Sequence, residues 1–500
     1  MKALVENKLV HFHKIKFLFI KHKILYFLLI SLYITMLSIL ALNRFAPPHM
    51  NADTVLFSII STQNVTPFIW GQDRLANFIP LILSTFSSIH LNLLLHLFIF
   101  SLSFFVLIYS IAIIIAKINH INNDCSNKLL AFCITCTVSI LVLSPFASHV
   151  FIAEGQPYAL SYLLLIHSFL FFMKIPQNKT PNIIFCTAAL FISFGLNPSI
   201  LVPATALSVG YSFISKNLRG AIFLIISVLF FIVWGKLSAI LGVPTGIKAY
   251  NVFDLMHTTS NLLISSQNIL KQINLTVTSL CLIIISTFDI FLSDDKNYLS
   301  NKITNIGFVF TAIWLFIFSQ NQWIKLNGSH FRYFFPVFLM LIFYLSLKLH
   351  VYVSKLYLKF RYTIIVFLLF TIVILLYSPF IPLGKYKIFE KTNQYISLLD
   401  KNNVNMVAGN YWDVWPLFFL MRSEGREIYS YAFRSEGNKK TTLNAFNAAI
   451  SKNGSVKVLC LQSSIDQCLI EVEKIAGRKM KIIDENSIVD NYLLLLKPDA

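Results

Sequence analysis

Charge is what this chain has least of. Only 13% of its 500 residues are charged, and acids are the scarcer sign, 22 Asp and Glu against 41 Lys and Arg. A soluble protein carries about a quarter of its residues as charges, so a water-facing globular fold of this length is excluded. The resulting net charge of +19 is not gathered into a compact basic domain, which argues against nucleic acid as a partner. Cysteine is sparse too. Cys133 and Cys136 form a CxxC spacing, but one turn of an apolar helix without His partners is a poor redox or zinc site, and small packing residues are the expectation. No tight acidic pair compels a divalent ion, so no metal is expected.

Hydrocarbon-seeking sequence fills the space that charge leaves. Apolar residues make up 56% of the chain and the mean hydropathy is +0.69. A spanning helix needs about 20 largely apolar residues. Such stretches recur near 24–42, 91–116, 129–146, 158–173, 183–197, 199–215, 220–241, 275–293, 303–319, 334–353 and 362–382, which predicts about eleven spans. The fifth and sixth are short and separated only by Asn197-Pro198-Ser199, so ten or twelve are alternatives. The first span is long and lacks a small-residue cleavage site, and is read as a retained anchor.

Basic residues set the orientation. With the N-terminus inside, the inner segments carry Lys2, Lys8, Lys14, Lys16, Lys21 and Lys23, then Lys117, Lys128, Lys174, Lys179, Lys216, Arg219, Lys296, Lys302, Lys355, Lys359 and Arg361. The outer loops hold only Arg44, Arg74, Lys248, Lys271, Lys325 and Arg332. This positive-inside bias makes 1–23 a basic cytoplasmic segment and 24–382 a transmembrane domain, and puts the loop 43–89 and the chain from 383 to 500 outside. In that last part charges return and helical and strand-like patterns alternate. Strands are expected at Asn405–Ala408, Glu427–Phe433, Val456–Leu461, Met480–Ile483 and Tyr492–Lys497, and helices at 388–401, 412–422, 441–451 and Ile465–Ala476. This is the pattern of a small α/β domain, and it has no GxGxxG or phosphate loop. Cys460 and Cys468 lie within it, and a disulfide between them is left open.

The fold class expected is therefore an α-helical polytopic membrane protein with a C-terminal extracytoplasmic α/β domain. Its candidate chemistry lies in the outer loops. Asp53, in MNADTVLF, precedes a segment able to form a short helix on the membrane surface. It is either the cap of that helix or a carboxylate able to take a proton from a hydroxyl. Asp73 and Arg74 are a surface ion pair or a second site pair, with Trp70 and Gln72 beside them as a stacking face and an amide. Glu154, Gln156 and Tyr158 form a helix–helix turn or contact substrate. In HFRYFFP, His330, Arg332 and Tyr333 begin a span; Arg332 either snorkels or clamps a phosphate. Trp412 and Asp413, in NYWDVWP, either bind sugar or begin a helix whose indoles pack the domain onto the membrane.

Outer-loop clustering argues for chemistry where nucleotide sugars are absent, so a sugar donor there would be lipid-linked. The segments MNADTVLF, FIWGQDRLANFIPL, EGQPYALSY, HFRYFFP and AGNYWDVWPLFF resemble the GT-C class of polytopic glycosyltransferases. More narrowly, they resemble the serotype-converting bacterial glucosyltransferases that modify O-antigen in lipopolysaccharide. The resemblance implies an inverting transfer of a hexose, glucose, from a polyprenyl-phosphate sugar to a lipid-linked polysaccharide at the periplasmic face of the bacterial inner membrane. It implies Asp53 as catalytic base with Asp73 as the alternative, and Arg74 and Arg332 on the leaving phosphate. The partners implied are the lipid donor, the lipid-linked acceptor, membrane lipid, and the proteins that make and flip the donor. No cofactor is expected, the lipid-linked sugar being a substrate. Relatives often carry two neighbouring acids in this loop, whereas here they stand twenty residues apart, so the choice of base stays open. The rival readings are a non-catalytic carrier or flippase of lipid-linked sugar, and a structural subunit in which the first-loop acids would be dispensable. The absence of a convincing internal repeat weighs against a carrier.

Overall fold

The structure, a computed structural model, describes residues 2–63, 65–68, 76–119, 125–173, 179–240, 253–291, 298–355, 358–432, 439–461, 464–488 and 491–499. The order begins with α1 (Lys2–His49), α2 (Ala52–Thr62), α3 (Phe78–Leu83), α4 (Ile89–Ile118), α5 (Cys125–Val142) and α6 (Pro145–Ser148). A π-helical turn at His149–Ala153 leads into α7 (Tyr158–Met173), α8 (Lys179–Leu196), α9 (Leu201–Ser215), α10 (Arg219–Ile240) and α11 (Thr258–Leu270). After these come α12 (Leu275–Phe291), α13 (Tyr298–Ser319), α14 (Gln322–Leu326), a 3-10 turn at Phe331–Phe334, α15 (Phe335–Ser354) and α16 (Leu358–Leu376).

Among the described residues, seven helices are long and apolar enough to cross a membrane, or eight if the bent pair Pro145–Ala153 and Tyr158–Met173 is one span. Shorter apolar helices at Ile183–Leu196, Leu275–Thr287 and Phe360–Leu376 occupy three more of the expected positions. The difference from eleven is one of length: at those places the described apolar helix falls short of a full bilayer crossing. Phe231, Ile232 and Val233 on α10, and Val366, Phe367 and Phe370 on α16, stay exposed. Water would not tolerate so much bare hydrocarbon; lipid tails would. The chain is a polytopic membrane protein. Central α5 packs against α4, α15 and α16, and its Leu130, Phe132, Cys133, Cys136 and Val142 are buried. Cys133 and Cys136 thus sit in the core as packing residues.

Four contacts join helix ends or connections that the charge rule puts on one side. Asn43 Nδ2 donates to Ser378 O over 2.6 Å, Ala76 N to Gly195 O over 2.8 Å, Ser144 N to Gln272 O over 2.9 Å and Asp254 N to Gln320 O over 2.8 Å. The segment expected to lie on the membrane surface after Asp53 is α2, and it is covered instead. Val55, Ile59 and Ile60 are fully buried, because α2 is sandwiched between α4 and a helix of the C-terminal part.

That part runs α17 (Lys387–Asn402), β1 (Met406–Gly409), α18 (Tyr411–Ser423), β2 (Tyr429–Ala432), α19 (Lys439–Asn453), β3 (Val456–Leu461), α20 (Ile465–Ala476), β4 (Met480–Ile488) and β5 (Asn491–Pro498). Its five strands form one sheet in the order β2-β1-β3-β5-β4. β1 is parallel to β2 and β3, while β5 is antiparallel to β3 and β4. Alternation along β3 explains the layers, since neighbouring side chains point to opposite faces. Val456, Val458 and Cys460 meet α19 and α20, whereas Leu459 and Leu461 belong to the core shared with α17, α18 and the membrane helices. Cys460 and Cys468 are disulfide-bonded, which closes the pairing left open above.

Candidate functional site

The site starts at the N-terminus of α2. Asn51 has extended backbone and closes a capping box: its Oδ1 accepts from Thr54 N over 3.1 Å, and Thr54 Oγ1 accepts from Asn51 N over 3.4 Å. The cap is therefore Asn51, and Asp53 is released from that duty. Its carboxylate stands in the first turn of α2, where the helix dipole favours negative charge. Asp53 Oδ2 accepts from Arg332 Nη1 over 3.2 Å, and Asp53 Oδ1 accepts from the Tyr411 hydroxyl over 2.7 Å. Of the two readings of Asp53, helix cap or available carboxylate, the cap is set aside: the side chain lies in a largely enclosed ion pair, with Asp53 keeping 12% of its side-chain exposure and Arg332 keeping 19%.

Arg332 lies in the 3-10 turn before α15. Besides Asp53, it donates from Nη2 to the Tyr333 hydroxyl over 3.3 Å, while its buried Nε has no hydrogen-bond partner among the described residues. Snorkelling does not describe it, because the guanidinium turns inward to charge and phenol. His330 accepts from Arg332 N over 3.3 Å through Nδ1 and stacks on Phe331. Burial first, and then the Arg332 charge, push its pKa down to about 4, so it is neutral near pH 7.

The third wall is the connection between α5 and α7, outside both spans. Glu154 is buried, with Oε1 accepting from Asn51 Nδ2 over 2.7 Å and Oε2 without a hydrogen-bond partner among the described residues. Burial pushes its pKa up to about 7; the Arg332 charge opposes this, the Asp53 charge adds to it, and the Asn51 hydrogen bond lowers it. The turn itself needs glycine. Gly155 has φ +81°, and a Cβ there would stand 2.7 Å from His96 Nε2. That ring is held 3.0 Å from Gly155 O, so a larger residue would push the turn off its support. Beyond it, Gln156 and Tyr158 are half-buried, and Tyr158 is near enough to act on the Arg332 charge.

The fourth wall comes from the sheet domain. Gly409 ends β1 at φ +145°, and a Cβ there would meet Leu461 O at 2.4 Å. This close approach turns the chain into α18, which Asn410 caps by accepting from Trp412 N over 3.0 Å. Tyr411 then points into the membrane-side site. Its phenol is held protonated, mainly by burial and then by the Asp53 charge. Trp415 is fully buried and Trp412 is 47% exposed, so the segment NYWDVWP is a helix start with one packing indole and one outward indole. Asp413 is in the first turn of α18 and is half-buried.

The structure thus brings together Asp53, Glu154, Arg332, Tyr333 and His330 from the expected set, and leaves Trp412 at the rim. Trp70, Gln72, Asp73 and Arg74 lie outside the described residues. Two contributors are new. Asn51 carried no signal that set it apart from Asp53, since both residue types cap helices. Tyr411 had only its place in an aromatic segment. Among the described residues, no group of three or more His, Cys, Asp and Glu side chains is placed to hold a metal ion.

No protein-family model matches the sequence, nor does any curated protein. The fold does have counterparts among solved structures. It is similar to the crystal structure of ArnT from Cupriavidus metallidurans bound to undecaprenyl phosphate, with a TM-score of 0.50, 10% identity, and coverage of 93% of this chain and 97% of that one. The likeness is one of fold, and it extends over nearly the whole of both chains.

Proposed function

We propose that this protein is a membrane glycosyltransferase of the GT-C class that takes its sugar from a polyprenyl-phosphate carrier. The single observation that carries the reading is the meeting of Asp53, Arg332 and Glu154, from three separate connections, in a fold shared with a protein bound to undecaprenyl phosphate. An acid and a guanidinium 3.2 Å apart match the two needs of the reaction. One group takes the proton of the acceptor hydroxyl, and the other stabilises the phosphate that leaves with negative charge.

In finer detail, the sugar is a hexose, glucose, transferred with inversion to a lipid-linked surface polysaccharide such as O-antigen. The reaction lies at the periplasmic face of the bacterial inner membrane. The positive-inside bias supports that side for Asp53, Glu154 and Arg332. Asp53 is the base and Arg332 the phosphate clamp, with Tyr333 and Tyr158 around the clamp and Trp412 at the rim towards the acceptor. In this reading Asp73 is the alternative base, Arg74 a second contact to the leaving phosphate, and Trp70 and Gln72 substrate contacts, while donor-making and flipping proteins supply the carrier.

The test is mass spectrometry of the host's surface polysaccharide, with the gene present and deleted and the lipid donor supplied. A gene-dependent gain of one hexose per repeat, lost in Asp53→Asn, is expected. Transfer that persists in Asp53→Asn moves the base to Asp73. An unchanged repeat mass returns the carrier reading.

A further inference from the structure

The two groups just assigned to base and clamp hold each other. Arg332 Nη1 sits on Asp53 Oδ2 at 3.2 Å, and the Tyr411 hydroxyl sits on Asp53 Oδ1 at 2.7 Å. A carboxylate with a donor on each oxygen, and only 12% of its side chain exposed, leaves an incoming hydroxyl little room to reach either oxygen. The guanidinium is not at ease either. Among the described residues its two side-chain contacts, 3.2 Å to Asp53 and 3.3 Å to Tyr333, are long for a charged donor, and its buried Nε has no hydrogen-bond partner. Paired N–H groups of Arg at full strength lie about 2.7–2.9 Å from their oxygens and are often bidentate. A phosphate offers several oxygens and fits that fork better than one carboxylate oxygen and one phenol.

We propose that the Asp53–Arg332 pair is a resting lock that the donor's phosphate opens, so that the base becomes available only once the donor is bound. This rests on the glycosyltransferase reading. The phosphate takes the Nη1 and Nη2 edge of Arg332, in place of the Asp53 oxygen and the Tyr333 phenol, and Asp53 Oδ2 is released while Tyr411 keeps Oδ1. Tyr411 is a positioning residue: it acts through Asp53 and comes from the sheet domain, so that domain fixes the orientation of the base. The step that follows balances. The acceptor O–H proton passes to Asp53 Oδ2 as the acceptor oxygen bonds to the anomeric carbon of the sugar. The bond from that carbon to the phosphate oxygen breaks, and its electron pair leaves on the phosphate. The lock prevents an acceptor from meeting a competent base in an empty site, and it imposes donor first, acceptor second.

The consequence runs against ordinary expectation for an inactive variant. Asp53 competes with phosphate for Arg332, so Asp53→Asn should bind undecaprenyl phosphate more tightly than the wild type, by about fivefold or more, a gain comparable to the worth of one ion pair. Tyr411→Phe should do the opposite. With Oδ1 bare, Asp53 turns both oxygens to Arg332 and the affinity falls. Binding is measured on the full-length protein in a neutral detergent with undecaprenyl phosphate, undecaprenol and phosphatidylglycerol as probes.

Opposite shifts in the two variants for undecaprenyl phosphate, with no shift for undecaprenol, support the lock. Asp53→Asn binding no tighter than wild type, with wild-type binding intact, overturns the lock and leaves the glycosyltransferase reading standing. No binding of undecaprenyl phosphate by wild-type protein overturns both. An equal gain for phosphatidylglycerol overturns the donor as the key, since any headgroup phosphate would then serve. Should Asp53→Asn fail to fold, Tyr411→Phe decides alone, and an affinity equal to wild type or higher overturns the proposal.

Discussion

The hydroxyl of Tyr411 and the carboxylate of Asp53 meet at 2.7 Å across 358 positions of sequence. One residue begins a helix of the sheet domain and the other begins a short helix between the first two membrane helices, so the hydrogen bond also joins the two parts of the protein. Helix α18 rests on α2 and α4 around it, and the buried Val414, Trp415, Leu417 and Phe418 make the seat continuous with the membrane core. The acid of the site is therefore positioned by a residue on the far side of the whole transmembrane domain in sequence.

Tyr411→Phe removes that bond and nothing of the ring. A hydrogen bond to a charged group contributes about 1.5–3 kcal/mol. Transfer should fall by about 10- to 100-fold, with expression and membrane insertion unchanged. Hexose incorporation per unit of purified protein checks it.

Glu154 should give the reaction a pH dependence near neutrality. The fold raises its pKa to about 7, so it is neutral below that value and charged above it. A folded-state pKa above the ordinary carboxyl range stabilises the fold fully at low pH and loses that contribution as pH rises through about 7. The ionised form also places a second negative charge beside Asp53, which repels an anionic donor. Donor KM should therefore climb above about pH 7 in the wild type, and the climb should be absent in Glu154→Gln. A pH profile of KM and of thermal stability for both proteins is the measurement.

Arg332→Lys keeps the charge and loses the fork. A lysine can meet Asp53 or a phosphate as a point charge, but it cannot bridge two oxygens in a plane. Donor KM should rise about tenfold or more while acceptor KM changes little. Steady-state rates at varied donor and fixed acceptor separate the two.

Gly155→Ala tests the turn that carries Glu154. The residue sits at φ +81° with His96 in the way of a Cβ, and a non-glycine residue forced there costs about 1–3 kcal/mol. The midpoint of thermal unfolding in detergent should drop, and transfer should fall with it because Glu154 shifts. A stability equal to wild type would show that the turn relaxes freely.

The membrane character, the approximate places of the helices and the alternation of the last 118 residues were all legible in local sequence. Hydrophobic runs and strand alternation are short-range signals, and they marked β3 at Val456–Leu461 and α20 at Ile465–Ala476 to the residue. Asp53 and Arg332 were legible as charges where charge is costly. Their partnership was not. Nothing in MNADTVLF says whether Asn51 or Asp53 caps the helix, because both residue types can; only the folded backbone puts the Asn51 oxygen over Thr54 N and leaves Asp53 to a distant guanidinium. The indoles of NYWDVWP drew attention away from their neighbour for a related reason. Successive residues on a helix turn by about 100°, so Tyr411 and Trp412 must face different ways, and composition cannot say which one faces the site.

The sequence by itself determined a lipid-embedded helical protein with the acids and guanidinium of the site in a few connections between its apolar runs, since hydropathy and charge act residue by residue. Tertiary structure alone decided which of those groups touch. Contacts between Asn51 and Glu154, Asp53 and Arg332, and Asp53 and Tyr411 span 103, 279 and 358 positions. Pairings at that range depend on how the helices pack and on where the sheet domain docks, and no local pattern of residues encodes either.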